Sequence, residues 1–161
     1  MHKEGNLIFL GTGSSDGIPR VSCLTNPTKS CKVCESAKDP DSKNRRRNTS
    51  IAILTDRKYE SKNIIIDAGK TFWDSAIKFF PKHNIRQIDE IVITHAHADA
   101  VGGLDNLRDW TNFVQETVKI NLRESDFESI KKIYFYLFEN GKVKTKGPIP
   151  KTIFNFIDEK P

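Results

Sequence analysis

The chain has 161 residues, 37% of them hydrophobic and 29% charged, which is near the common size of one domain and enough to bury a sizeable core. The formal net charge is +5, from 26 basic and 21 acidic residues, so an anionic partner is tolerated but not required. No apolar run approaches the roughly 18 residues of a membrane span, and the N-terminal segment lacks the pattern of a signal peptide. We therefore expect a cytoplasmic, reducing environment and no membrane partner.

Hydrophobic periodicity predicts an α/β fold, in which strands come first and helices are interleaved later. The predicted strands are 7–10, 49–55, 63–69, 88–94, 118–122 and 152–157, and the predicted helices are 70–80, 104–114 and 125–138. Pro81 is expected to end the first helix, and Ser125 to cap the last helix at its N-terminus. Residues 20–48 are polar and predict a long irregular insertion, and residues 56–63 predict a turn.

A candidate metal site follows the buried strand that ends at Thr94. The sequence T-H-A-H-A-D-A places His95, His97 and Asp99 at alternate positions of one short loop. Imidazole nitrogen and carboxylate oxygen are common donors to zinc, iron and manganese. Residues two apart on an extended turn can aim at one ion, so His95 and His97 are predicted to share a metal, with Asp99 able to reach a neighbouring position. Ala100 follows, where another histidine would have extended the set.

Four stretches of the chain together resemble one family, the metallo-β-lactamase fold hydrolases. The stretch T-H-A-H-A-D-A resembles the H-x-H-x-D-H signature of that family. F-L-G-T-G-S-S-D-G-I-P, R-R-R-N-T-S-I-A-I and I-I-I-D-A-G resemble, in order and spacing, strands and loops of the branch that holds tRNase Z and the phosphonate-pathway cyclic phosphodiesterase. The resemblance covers roughly residues 6–115. It implies the N-terminal half of an αββα sandwich, with residues 1–161 forming a single, truncated domain.

The resemblance also implies a role for each motif residue. His95 and His97 would bind a first metal, Zn²⁺ or Mn²⁺, and Asp99 would bind a second one. Asp67 would hold a ligand histidine by a hydrogen bond and set its tautomer, so Asp67 and Asp99 are the catalytic candidates. In this family a metal-activated hydroxide attacks the substrate. The chain is therefore predicted to be a metal-dependent hydrolase, with a small-molecule or nucleotide phosphodiester as its substrate.

Two departures from the family pattern leave a second hypothesis open. Ala100 replaces the fourth motif residue, which weakens the second metal position. The family's second half supplies a later histidine, a bridging aspartate and a final histidine, whereas no histidine follows Asp99 here. The alternative is a non-catalytic, truncated half-domain with a binding role. Separately, a homodimer is a possible arrangement, in which a second copy of the chain could donate metal ligands.

The three cysteines predict a second metal site, within the polar insertion. Cys23, Cys31 and Cys34 are spaced C-x7-C-x2-C, and the C-x2-C pair is a common zinc-binding element. Ordinary thiols are the alternative. The family resemblance implies a structural Zn²⁺ held by these three cysteines and a distant C-terminal histidine.

Two neighbouring segments are candidates for contact with a phosphate. The loop of Gly13, Ser14 and Ser15 can offer backbone N–H groups and, by the resemblance, lies near the metals, so it is predicted to bind substrate. Arg45–Arg47 can meet phosphate oxygens, or can simply be a solvated basic run. A nucleic-acid-binding module that uses these arginines and the cysteine loop is a third hypothesis, with RNA as the partner.

Overall fold

The computed structural model describes residues 5–55, 61–139, 142–144 and 146–157. Its strands are β1 (Asn6–Gly11), β2 (Ser50–Leu54), β3 (Asn63–Ile66), β4 (Glu90–Val92), β5 (Val118–Leu122), β6 (Phe138–Glu139), β7 (Lys142–Val143) and β8 (Thr152–Phe156). Its α-helices are α1 (Val21–Leu24), α2 (Lys32–Ser36), α3 (Phe72–His83), α4 (Ala98–Val101), α5 (Leu107–Phe113) and α6 (Glu124–Ile133). Two 3₁₀ turns lie at Leu104–Asn106 and Phe135–Leu137.

Six strands form one mixed sheet in the order β1-β2-β3-β4-β5-β8, and β6 and β7 form a separate ribbon. The first three strands are antiparallel, whereas β3, β4, β5 and β8 are parallel. Parallel neighbours require crossover connections, and α3 provides the one between β3 and β4. The carboxyl ends of β3 and β4 therefore meet at one edge of the sheet, where ligand sites of α/β folds commonly lie.

One face of the sheet forms the hydrophobic core. The alternation of side chains along each strand directs a set of aliphatic residues to this face: Ile8, Leu10, Ala52, Ile65, Ile91 and Ile120. The helices contribute Phe72, Ala76, Phe80, Leu107, Trp110 and Ile130 to the same cluster. The rings of Phe72, Phe80 and Trp110 pack edge-on or tilted, with centroids 5.7–6.1 Å apart.

The opposite face of the sheet carries half-buried and exposed side chains in two zones. Leu7 and Phe9 of β1 are 57% and 59% exposed, and they lie in register with Ile53 and Ile51 of β2. We call this apolar zone the open face; it continues onto β3 and β4 as Ile64, Ile66 and Val92. The zone toward β8 is polar and hydrogen-bonded through Glu90, Lys119, Asn121 and Asn155.

The structure confirms the predicted α/β class and corrects three local expectations. Helix α3 runs through Pro81 to His83 and ends at Asn84 in the left-handed conformation (φ 55°); the N–H groups of Asn84 and Ile85 both donate to the Phe80 carbonyl, so the last turn closes although Pro81 lacks a donor. Helix α6 starts at Glu124, so Ser125 lies inside it and is not its N-cap. The insertion at 20–48 is not wholly irregular, since it contains α1 and α2. Most of the predicted turn at 56–63 lies outside the described residues.

Candidate metal centre

The metal loop, residues 94–99, leaves the end of β4 and is locked to the chain that leaves β3. Ala68 N–H donates to the Ala100 carbonyl (2.7 Å), and Gly103 N–H donates to the Ala68 carbonyl (2.8 Å). Gly69 lies against the backbone of Asp99, where a Cβ on residue 69 would come 1.8 Å from the Asp99 carbonyl oxygen. Only glycine permits this approach, so the I-D-A-G stretch has a structural reason for its glycine.

The structure brings the three predicted ligands of this loop together. One donor atom each from His95, His97 and Asp99 lie within 4.8 Å of one another. His95 Nε2 is 3.5 Å from Asp99 Oδ1, and the two imidazole rings stand nearly perpendicular, with centroids 5.0 Å apart. His97 is exposed and the other two are partly exposed, so an ion and a substrate can reach the cluster from solvent.

The hydroxyl of Thr94 connects Asp67 to His95. Asp67 Oδ2 accepts from Thr94 Oγ1 (2.7 Å), and Thr94 Oγ1 lies 2.9 Å from His95 Nδ1. Because the hydroxyl hydrogen goes to the carboxylate, its oxygen is left to accept from Nδ1–H. This arrangement puts the proton on Nδ1 and frees the Nε2 lone pair for a metal. Asp67 thus acts on His95 through Thr94, and not by the direct contact that the resemblance implied.

Asp67 is itself held in a constrained position. It is a non-glycine residue with φ 59°, a conformation that costs free energy and is kept only where surrounding contacts enforce it. Thr94 N–H donates to Oδ1 (2.8 Å), and Ser50 Oγ donates to the Asp67 carbonyl (2.8 Å). Burial raises the pKa of Asp67, and the hydrogen bonds from Thr94 oppose that rise.

Asp99 is oriented by the glycine-rich loop. Ser15 Oγ donates to Asp99 Oδ2 (2.8 Å), which leaves Oδ1 facing His95. The hydrogen bond from Ser15 is the main cause that lowers the pKa of Asp99. Ser14 is exposed, and the Gly13 N–H donates to the Arg47 carbonyl (2.7 Å), so it is already occupied. The side chain of Ser15 is therefore the member of this predicted substrate-binding trio that contacts the metal loop.

A buried amide, Asn48, fixes the position of this loop. Its Nδ2 donates to the carbonyls of Ser14 (3.1 Å) and Ser15 (2.9 Å), and its Oδ1 accepts from Thr71. Asn48 is 2% exposed and so connects the glycine-rich loop to the start of α3. Sequence analysis missed both Asn48 and Thr94. Thr94 borders the motif and offered a signal, whereas Asn48 is 51 positions from Asp99 and offered none.

The structure also brings together the three cysteines of the second predicted metal site. The sulfurs of Cys23, Cys31 and Cys34 lie within 4.8 Å of one another, with Cys34 buried. Arg20 N–H donates to Cys34 Sγ (3.5 Å). A hydrogen bond from the Cys34 backbone lowers the pKa of Cys31, whereas contact with the Cys34 side chain raises the pKa of Cys23.

The donor sets fit the predicted ions. Two imidazoles and a carboxylate suit Zn²⁺ or Mn²⁺, and three thiolates suit the softer Zn²⁺. Three protein ligands are also the usual number at a catalytic zinc, where a further position stays open. Ala100, which follows the motif, is 1% exposed and belongs to the hydrophobic core.

The arginine triplet is largely engaged by the protein. Arg47 is 7% exposed, and its Nε lies 2.5 Å from Asp74 Oδ2. Arg45 Nη1 donates to the Ala37 carbonyl (3.3 Å). Arg46 is exposed and its Nη1 donates to Thr12 Oγ1 (2.7 Å), three residues from Ser15. Arg46 is thus the triplet member with access to an anion at the glycine-rich loop.

Two open grooves lie over the helices. One, of about 510 Å³, runs between α3 and α5 past Trp73, Phe80 and Trp110. The other, of about 670 Å³, is bordered by Lys70, Arg108 and Phe113. Neither groove is lined by a residue of the metal loop. No helix among the described residues is long and apolar enough to cross a membrane.

A comparison with models of protein families assigns the chain to a family. The profile described as "Anti-Pycsar protein Apyc1" matches residues 42–134, which include the metal loop and all of α6. The chain belongs to this family. The matched segment is more than half of the chain.

Solved structures with the same fold confirm the predicted resemblance. A structure described as a new diphosphatase from the PhnP family is 26% identical, with a TM-score of 0.70, over 98% of this chain and 52% of that one. The metallo-β-lactamase fold protein YhfI from Bacillus subtilis superposes with a TM-score of 0.56, over 97% of this chain and 47% of that protein. Its 11% identity supports the fold alone. The chain thus spans about half of either structure, which agrees with an N-terminal part of the metallo-β-lactamase sandwich.

A curated relative has a different activity in its name. An octanoyltransferase from Porphyromonas gingivalis is 33% identical over 145 residues, which are 90% of this chain and 25% of that protein. Since three quarters of that protein lie outside the match, its name does not assign an activity to the shared quarter.

Proposed function

We propose that this chain carries the metal-binding part of a metal-dependent hydrolase that acts on a phosphodiester. The observation that carries the proposal is the convergence of His95, His97 and Asp99 donor atoms within 4.8 Å at the carboxyl end of β4. The 26% identity to a PhnP-family diphosphatase supports attack at phosphorus as the reaction class.

Each residue of the site has a defined part in this proposal. His95 and His97 would hold the ion through imidazole nitrogens, with Thr94 and Asp67 fixing the His95 tautomer. Asp99, oriented by Ser15, would supply a carboxylate to the same ion or to a neighbouring one. A bound divalent cation would acidify a water molecule and neutralise the charge of a phosphate. Ser14 and Arg46, which are exposed, would border the substrate, and the buried Gly13 would shape the loop that carries Ser14.

A direct test compares two histidines. The chain is loaded with Mn²⁺ or Zn²⁺, and hydrolysis of bis(p-nitrophenyl) phosphate is followed. We expect turnover in the wild type and in His83→Ala, because His83 is an exposed residue at the end of α3. We expect at least a roughly 100-fold loss in His95→Ala, which removes a ligand. Equal turnover in the two variants, or none in the wild type with any metal, would reject the proposal.

A second candidate is a non-catalytic domain that retains the metal site for binding. The residue at position 100 favours it, because alanine stands there where the family signature has a histidine, and a methyl group cannot bind a metal. The two functions differ in one measurement. Stoichiometric metal binding without turnover of a phosphodiester or a diphosphate diester would favour the binding domain.

The cysteine site is proposed to hold a structural Zn²⁺. Its sulfurs lie in a segment with only two short helices, so an ion would add order that the local packing lacks. Zinc content should fall by one ion per chain when Cys34 is replaced by Ser, while the metal loop keeps its ion.

A further inference from the structure

Helix α6 accepts a hydrogen bond from the backbone of the metal loop. Asp126, in its first turn, is 7% exposed, and its Oδ1 accepts a hydrogen bond from Ala96 N–H (3.1 Å). The other oxygen, Oδ2, accepts from Arg123 Nε (2.7 Å). Both oxygens of a buried carboxylate are thus used, one on the loop and one on its own helix.

Ala96 is the residue between the two predicted histidine ligands. The orientation of its peptide N–H fixes the backbone direction from which His95 and His97 project, one on each side. Asp126 is 30 positions away in sequence, so this hydrogen bond is a tertiary contact that restrains the loop. Hydrogen bonds to a charged acceptor are roughly twice as strong as neutral ones, which suits a carboxylate to this task.

Two other hydrogen bonds join the α6 region to the segment after the metal loop. Tyr134 Oη donates to the Val101 carbonyl (2.7 Å), and Tyr136 Oη donates to Asp105 Oδ1 (2.7 Å). Both contacts fall on residues that follow the ligands, one at the end of α4 and one beyond it. They hold the helix layer together, whereas Asp126 alone of these three reaches between the histidines.

We propose that Asp126 is a positioning residue for the metal centre. Its carboxylate holds the Ala96 peptide so that His95 and His97 face one ion, and Arg123 holds the carboxylate. The inference rests on the proposed function only in taking these histidines as ligands. A purely structural role would be to stabilise the start of α6, as acidic side chains do at helix N-termini. That role predicts a loss of stability with no change in metal affinity.

Glu124 provides a matched control. It is also acidic and lies in the same first turn, but it is exposed and follows Arg123 directly. Replacing either residue by Ala removes one negative charge from the helix N-terminus. Only Asp126→Ala removes the hydrogen bond to Ala96. Asp126→Asn keeps an oxygen acceptor without its charge, and serves as a milder variant.

The test is a Mn²⁺ titration followed by electron paramagnetic resonance. Aqueous Mn²⁺ gives a signal that falls as the ion binds, and this hard ion does not favour the thiolate site. Melting of the metal-free proteins is measured alongside, so that only folded variants are compared. We expect about tenfold weaker Mn²⁺ binding in Asp126→Ala, a smaller loss of about threefold in Asp126→Asn, and wild-type affinity in Glu124→Ala.

Equal Mn²⁺ affinity in Asp126→Ala and Glu124→Ala would overturn the positioning role. If Asp126→Ala does not fold, an unchanged affinity in Asp126→Asn overturns it in the same way. The proposed hydrolysis is judged separately. If the wild-type chain binds Mn²⁺ but does not turn over a phosphodiester, the hydrolase proposal is rejected. If Mn²⁺ affinity still falls in Asp126→Ala in that case, the positioning role stands.

Discussion

At the residue scale, one hydroxyl decides which nitrogen of His95 is available to a metal. Thr94 donates to Asp67 and so can only accept from the histidine ring, whose proton must then lie on Nδ1. A valine at position 94 has nearly the same shape as threonine but no hydroxyl. It would leave the buried Asp67 without one of its donors and His95 without a fixed tautomer.

We therefore expect Thr94→Val to weaken Mn²⁺ binding about tenfold, as is typical when a partner of a metal ligand is removed. Thr94→Ser keeps the hydroxyl and should bind within about threefold of the wild type. Titration of the two variants under the same conditions measures both effects. Equal affinities in Val and Ser would show that the hydroxyl does not orient the ligand.

A second residue-scale constraint is the contact between Gly69 and the Asp99 backbone. A Cβ there would lie 1.8 Å from a carbonyl oxygen that belongs to a ligand residue. Gly69→Ala should lower the free energy of unfolding by about 2 kcal/mol or more, because two backbones cannot move apart cheaply. In Gly5→Ala the nearest atom is 3.0 Å away, and the cost should stay below about 1 kcal/mol. Urea unfolding of both variants checks the difference, and equal midpoints would contradict it.

At the element scale, α3 holds the segment that positions the glycine-rich loop. Asn48 hydrogen-bonds Thr71 at the helix start, and Arg47 pairs with Asp74 one turn further on. Arg47 is almost fully buried, although the side chain of Asp74 is half-exposed. Loss of the partner would leave a buried guanidinium without its charge-assisted hydrogen bond.

Asp74→Asn is expected to cost about 1.5 kcal/mol of stability, the lower range for a hydrogen bond between charged groups. The matched change is Asp41→Asn, because Asp41 also pairs with α3, through Lys78, but has 88% of its side chain exposed. Exposed pairs contribute little, so that variant should lose no more than about 0.5 kcal/mol. Both values come from urea unfolding. A larger loss in the Asp41 variant would show that burial of Arg47 is not what matters.

The elements themselves were largely predictable from sequence, because strands and helices here keep clean periods of 2 and 3.6 residues. The expected end at Pro81 was wrong because the N–H groups of Asn84 and Ile85 close the last turn onto the Phe80 carbonyl without the donor that proline lacks. The N-cap of α6 was misplaced by two residues, since Ser125 resembles a cap while Arg123 takes that position, and the helix ends at Ile133 and not at 138. The short helices of the insertion have no apolar stripe, and α1 buries no residue at all.

From spacing alone, the site was predictable only where its residues are neighbours in sequence: His95, His97 and Asp99 form a motif within five positions, and the three cysteines lie within twelve. Asp67 and Ser15 were placed near the site by the family resemblance. Asn48 and Asp126 act on the site from other elements, through hydrogen bonds that carry no local pattern. Their roles depend on strand order and loop packing, which periodicity does not specify.

At the scale of the whole molecule, the sheet is asymmetric. Its core face packs against helices, whereas the open face exposes Leu7 and Phe9 beside a row of isoleucines. A contiguous apolar surface of this kind drives association in water. The chain spans about half of the metallo-β-lactamase fold structures that it matches, and the open face is one apolar surface that it presents.

We expect the isolated chain to self-associate through the open face. Leu7→Lys combined with Phe9→Lys should lower the weight-average mass in sedimentation equilibrium without lowering the melting temperature, since neither side chain is in the core. Phe113→Lys is the control, because Phe113 is 77% exposed but belongs to the helical layer. A monomeric wild type, or an equal effect of the control, would contradict the expectation.

The hydrogen bonds from Ala68 N–H to the Ala100 carbonyl and from Gly103 N–H to the Ala68 carbonyl affect how the domain unfolds. These hydrogen bonds connect the residues that follow the metal loop to the hydrophobic core, and Thr94 N–H and Ala96 N–H tie the loop itself to Asp67 and Asp126. The amide hydrogens of Thr94 and Ala96 should therefore exchange with solvent slowly, close to the rate set by unfolding of the domain. An ion on the histidines would therefore stabilise the entire domain, by about 2.7 kcal/mol at a concentration 100 times the dissociation constant. The melting temperature of the domain would then report whether the histidine site holds an ion, without the need for a substrate.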